Sequence, residues 1–143
     1  MKKIASVLAT LLCAFVAATS LSANNSKPFV VPELRQWTGK TGQLIPQDGA
    51  SITVASQNLL DVAQAFAADY KTMFGKTLPV SVGKATKGSF HFSLKADKKL
   101  GAEGYSIEIS DKVTVTAPET VGAFWATRTL LPIAAQSDNH ALP

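Results

Sequence analysis

One cysteine occurs in the 143 residues, and that one, Cys13, lies inside the apolar run at the N-terminus. A chain with a single thiol forms no internal disulfide, so its stability has to come from packing, and a thiolate-based zinc site is out of reach. Histidine is nearly as scarce. His91 and His140 stand 49 positions apart (140 − 91) and no His-Glu-x-x-His pair occurs. Both read as solvated side chains, because a metal needs several donors converging on one point. Basic charge is present but dispersed. The formal net charge of +4 becomes +2 once Lys2 and Lys3 are set aside (4 − 2), and Lys71, Lys76, Lys84, Lys87 and Lys95 are scattered, with Lys98-Lys99 the one adjacent pair among them. Nucleic-acid binding concentrates such residues on one face to displace counterions from phosphate, so that class is excluded.

Long apolar runs are also lacking, apart from Ile4 to Ala18, which follows the positive Met1-Lys2-Lys3 and spans 15 residues. A membrane span needs about 20, and no stop-transfer pattern follows. Residues 1–23 are expected to be a bacterial-type secretory signal peptide cut after Ala23, or earlier, after Ser20, leaving a secreted or periplasmic protein with no membrane attachment. Leu12 is too bulky for the residue preceding a lipidated cysteine. The mature chain, 143 − 23 = 120 residues, is one domain's worth.

What is there organises into short elements. Asn24 to Lys27 is a polar tail and Pro28 to Pro32 an extended segment flanked by prolines. Gly39, Gly42, Pro46 and Gly49 punctuate a loop region before a short strand at Ser51 to Val54. Asn58 is placed to cap a helix with Asp61 in its first turn. Leu59, Val62, Ala63, Phe66, Tyr70 and Met73 recur at three- and four-residue steps, and Gly75 is suited to end the helix. Further on, Phe90, Phe92 and Leu94 alternate with Ser89, His91 and Ser93. Tyr105, Ile107 and Ile109 alternate with Ser106, Glu108 and Ser110. After a turn near Asp111-Lys112, Val113, Val115 and Ala117 alternate with Thr114 and Thr116. Strand side chains point to opposite faces in turn, so the sheet has one apolar and one polar face, a pattern that favours largely antiparallel pairing. A second helix is expected from Glu119 or Thr120, carrying Val121, Phe124, Leu130 and Leu131, with a stop or kink at Pro132. The expected fold is α+β: a two-layer sandwich of a mostly antiparallel or mixed sheet of four to five strands, with two helices on one face. The domain would occupy residues 24–136, and residues 137–143 would begin a linker.

No recognisable reaction motif interrupts this pattern. No serine sits in a Gly-x-Ser-x-Gly elbow. Gly39-Lys40-Thr41 and Gly75-Lys76-Thr77 mimic the end of a phosphate loop, but the glycine required five positions earlier is Leu34 in one case and Tyr70 in the other. Asn24-Asn25-Ser26 fits a glycosylation sequon, a three-residue match that is common by chance. No cofactor is implied.

The segment Glu103-Gly104-Tyr105, Ile107, Ile109, Val113, Val115, Ala117, Gly122-Ala123-Phe124 and Thr129-Leu130-Leu131 resembles the domain that precedes the catalytic barrel in family 20 glycoside hydrolases, the β-N-acetylhexosaminidases. Val30-Val31-Pro32 and the Leu59–Phe74 helix fall where that domain would have them, so the resemblance covers residues 28–133. Pro132 departs from it, since the family often has glutamine there. Related domains precede the barrels of family 84 enzymes and some glucuronidases. The resemblance implies a fold similar to that of zinc proteases but without the metal. It implies a non-catalytic N-terminal domain, here a fragment of a secreted enzyme that removes terminal N-acetylhexosamine from glycans. The partner would be the catalytic barrel of the parent, which in the family carries the sugar-binding arginine and the Asp-Glu pair. None of those has a matching position in this chain, so no catalytic residue is carried over.

The residues agree. Glycosidases hold two carboxyl groups about 5–10 Å apart, whereas Glu103 and Glu108 lie five apart (108 − 103) on opposite parities of one extended segment. Trp37 and Trp125 both read as packing residues, and Trp37 is the one candidate for amino-sugar glycan contact. The alternative to a scaffold is therefore a free-standing extracytoplasmic carbohydrate-binding module.

Overall fold

The computed structural model describes residues 23–143, so the expected signal peptide lies outside the described residues except for Ala23. Strand β1 (Ile52–Val54) leads through a single 3-10 turn (Gln57–Leu59) into α1 (Leu60–Phe74). Asn58 is not the cap expected of it. It sits within the 3-10 turn, its side chain paired with Ser56, and the Leu59 N–H bonds the Ser56 carbonyl at 3.2 Å. At the other end Gly75 adopts φ 71, a conformation cheap for glycine, and its N–H returns to the Lys71 carbonyl at 2.8 Å. The buried face of α1 is Ala63, Phe66 and Tyr70, while Met73, placed on that face by its spacing, is 51% exposed. Phe66 is the hub of the core, with ring centroids 5.7 Å from Tyr70, 5.2 Å from Phe90 and 5.7 Å from Phe92.

The remaining strands are β2 (Val80–Val82), β3 (Phe90–Leu94), β4 (Ser106–Ile109) and β5 (Val113–Ala117), and the chain closes with α2 (Thr120–Ala134). The sheet has five strands in the order β2-β1-β3-β5-β4. The architecture is the α+β one expected, with a mixed sheet and two helices, but the pairing is mainly parallel. β1 is parallel to β2 and β3, and β3 is parallel to β5; only the β4–β5 hairpin is antiparallel. Alternation reports that one face is covered, not the direction of the neighbour. Direction is set by the connection, and α1 between β1 and β2 is a crossover of the length a parallel pair requires.

The register sorts the two faces row by row. Val80, Ile52, Phe90, Val113 and Ile109 form one row, and Val82, Val54, Phe92, Val115 and Ile107 the next. Between them, facing the other way, lies the polar row Ser81, Thr53, His91, Thr114 and Glu108.

α2 presses its small side against the sheet. Gly122, Ala123 and Ala126 are buried, and a Cβ on Gly122 would lie 2.3 Å from the Gly104 carbonyl oxygen and 3.1 Å from the Ala117 Cβ. Pro132 neither stops nor interrupts the helix, which runs on to Ala134. Its missing N–H leaves the Arg128 carbonyl without its helical donor, the one bond that the proline removes. Residues 137–143, expected to begin a linker, fold back on the domain. Leu142 and Leu44 exchange two backbone bonds of 2.8 Å, Ser137 Oγ accepts from the Ala141 N–H at 2.7 Å, and Ala141 and Leu142 are buried.

Candidate functional site

The residues singled out from sequence are dispersed by the fold. Glu103 is exposed ahead of β4 and Glu108 ends the polar row. Among the described residues no three His, Cys, Asp or Glu side chains gather in a way that could hold a metal. His91 Nδ1 lies 2.8 Å from Thr53 Oγ1. Burial lowers its pKa below the usual histidine value, and the positive charge of Lys112 lowers it further. His140 is not the solvated tail residue expected: it takes φ 58 and stacks on Phe74 at 4.3 Å. Burial also pushes the Tyr70 phenol up.

Trp37, the candidate for glycan contact, is half-buried, and its Nε1 donates to the Asn25 carbonyl at 3.2 Å. The backbone of Gly39 comes so close that a Cβ there would lie 2.0 Å from the same oxygen. Asn25 is fixed further by its N–H to the Lys40 carbonyl at 2.9 Å and its Nδ2 to the Gly42 carbonyl at 2.6 Å. The indole thus ties the N-terminal segment to the loop after it.

The feature that sequence reading missed is the outer side of α2. Val121, Trp125, Arg128 and Pro132 follow one another at steps of four, three and four residues, which is one stripe of a helix. Val121 is 38% and Trp125 43% exposed. Phe124 lies 5.2 Å from Trp125, ring to ring, and carries the Arg128 guanidinium 5.0 Å above it. Arg128 Nη2 in turn pairs with Asp69 Oδ2 of α1 at 2.6 Å, joining the two helices at the surface. One more helical step of four reaches Gln136, which is hydrogen-bonded to Phe29. Phe29 and Val31 are the most exposed large apolar side chains described. Of the six such side chains described, Val121 and Trp125 belong to this stripe, and Phe29 and Val31 to the segment hydrogen-bonded to Gln136 just beyond it. The alternating strands gave warning of the polar face, but nothing in the spacing of α2 distinguished an outward Trp125 from a core one.

The comparisons with known proteins agree with the fold. The chain is similar to the N-acetyl-β-hexosaminidase of Streptomyces plicatus, solved in complex with Thio-NAglucal. That match has a TM-score of 0.58 and 25% identity over 71% of this chain and 20% of that one. It is similar in fold to the family 20 exo-β-N-acetylglucosaminidase of Vibrio harveyi, solved with N-acetylglucosamine, at a TM-score of 0.51 and 20% identity over 66% of this chain and 14% of that one. The chain thus spans about a fifth or less of the solved enzymes it matches. No curated protein matches it. Residues 27–143 match glycosyl hydrolase family 20, domain 2, and the chain belongs to that family.

Proposed function

We propose that this chain is the non-catalytic N-terminal domain of a secreted β-N-acetylhexosaminidase, an enzyme removing terminal N-acetylhexosamine from glycans, and that it supports the catalytic barrel by docking along α2. The observation that carries the reading is the division of labour between surfaces. Glu103 stands exposed ahead of β4 and Glu108 at the edge of the polar row, while α2 presents Val121 and Trp125 to solvent around the Arg128–Asp69 pair. Burying one large apolar side chain contributes about 1.5–3 kcal/mol, so a stripe of this size can hold two domains together. The test is hydrolysis of a chromogenic N-acetylglucosaminide: the purified chain should give none above buffer, and measurable turnover rejects the proposal. Cell fractionation tests the export it assumes.

The polar sheet face favours a second reading, a free-standing module for amino-sugar glycans, because His91, Ser106, Glu108 and Thr114 offer a partly exposed polar surface, although Ser89, expected with them, is buried against Ser51. Its weakness is that this face carries no aromatic platform for a sugar ring. Saturable binding to chitin oligosaccharides, lost on Trp37→Ala in a chain that still folds, would replace the scaffold reading with this one.

A further inference from the structure

We infer that the strap from Lys27 to Glu33, tied to the end of α2 through Gln136, is a second contact surface that docks onto the catalytic part of the parent glycoside hydrolase; it rests on the scaffold reading above. Phe29 is 78% and Val31 84% exposed, while Val30 between them is 5% exposed. An extended segment sends successive side chains to opposite sides, so Val30 pins the strap to the core and its two neighbours are presented outward. Their position is fixed rather than loose. Gln136 Nε2 donates to the Phe29 carbonyl at 2.8 Å, the Phe29 N–H donates to Gln136 Oε1 at 3.2 Å, and the same Nε2 reaches the Pro132 carbonyl at 2.9 Å. Lys27 Nζ and Glu33 Oε1, 2.6 Å apart, bridge the two ends of the strap.

Two arguments identify the occupant. The matched enzymes contain this fold as 20% and 14% of their chains, so a far larger remainder of the same polypeptide is there to be met. Gln136 also ties the strap to the Pro132 carbonyl near the end of α2, so one partner can meet both. Phe29 and Val31 bring neither charge nor a side-chain donor, and the complementary surface is accordingly an apolar hollow flanked by groups able to meet Lys27 and Glu33.

Hydroxyl-radical footprinting, read by mass spectrometry, tests this on the purified chain and on the polypeptide encoded by the whole reading frame that contains it. Labelling of Phe29 and Trp125 should fall several-fold in the longer polypeptide, with His91 on the polar face unchanged. Phe29→Ser should lower the melting temperature of the longer polypeptide and leave that of the 143-residue chain in place. Protection of Trp125 with Phe29 labelled equally in both overturns the strap while leaving the α2 contact standing. Protection of neither, or a reading frame that closes at Pro143, overturns both.

Discussion

Gly122→Ala sets two known effects against each other. Alanine in place of glycine in a helix is worth about 1 kcal/mol in the helix's favour. The added Cβ, however, would lie 2.3 Å from the Gly104 carbonyl oxygen and 3.2 Å from its carbon. Both are backbone atoms, unable to swing aside as a flexible side chain could. The loop that carries Gly104 is itself closely packed, since a Cβ added there would lie 2.1 Å from the Leu100 carbonyl oxygen. Overpacking of this kind costs about 1–3 kcal/mol, occasionally more, and a backbone contact belongs at the upper end of that range. The net expectation is a loss of about 2 kcal/mol. In urea, with a slope of about 1–3 kcal/mol per molar for a small domain, the midpoint should fall by roughly 1 M. Circular dichroism of the purified chain measures it directly. A midpoint unchanged or raised would show that helix propensity wins and that α2 does not approach the β4 loop as described.

Phe66→Ala should cost about 3–5 kcal/mol, because the ring is fully buried among Tyr70, Phe90 and Phe92; a loss under about 1 kcal/mol in the same urea titration would refute that packing. Arg128→Ala should lower the stability of the isolated chain by less than about 1 kcal/mol, since both partners of the Asp69 pair are a third or more exposed and screened by water. His91 contributes a pH slope. Its folded pKa lies below 6.5, so the unfolded chain takes up the proton first as pH falls, and stability declines through and below that value while being fully present above it. His91→Gln should flatten the stability profile between about pH 7 and pH 5; an unaltered slope contradicts the burial described.

Much of the fold was legible because its signals are local. The left-handed Gly75, the period of Ala63, Phe66 and Tyr70, and the alternation of Phe90 with His91 and Val113 with Thr114 each follow from one residue's geometry or from a repeat of two or 3.6 residues. Strand direction was not legible from alternation, because a face covered by helices looks the same whichever way the neighbouring strand runs. Pro132 misled for a related reason: the local cost of a proline past the first turn is opposed here by Ile133 and Ala134 packing into the core, which the sequence around it does not reveal. The α2 stripe escaped notice because Trp125 and Phe124 are adjacent in sequence, and only the helix's rotation on the sheet decides which of them faces outward. That Trp37 packs was readable, but its partner Asn25 was not, since it is brought to the indole by a loop with no periodicity at all.

The most direct test compares one substitution in two settings. Trp125→Ser should leave the melting temperature of the 143-residue chain nearly unchanged. In the polypeptide encoded by the complete reading frame it should lower the melting temperature by several degrees, because there the indole is expected to be covered. An equal shift in both, or none in either, would contradict the claim that this face is where the domain meets the rest of its enzyme.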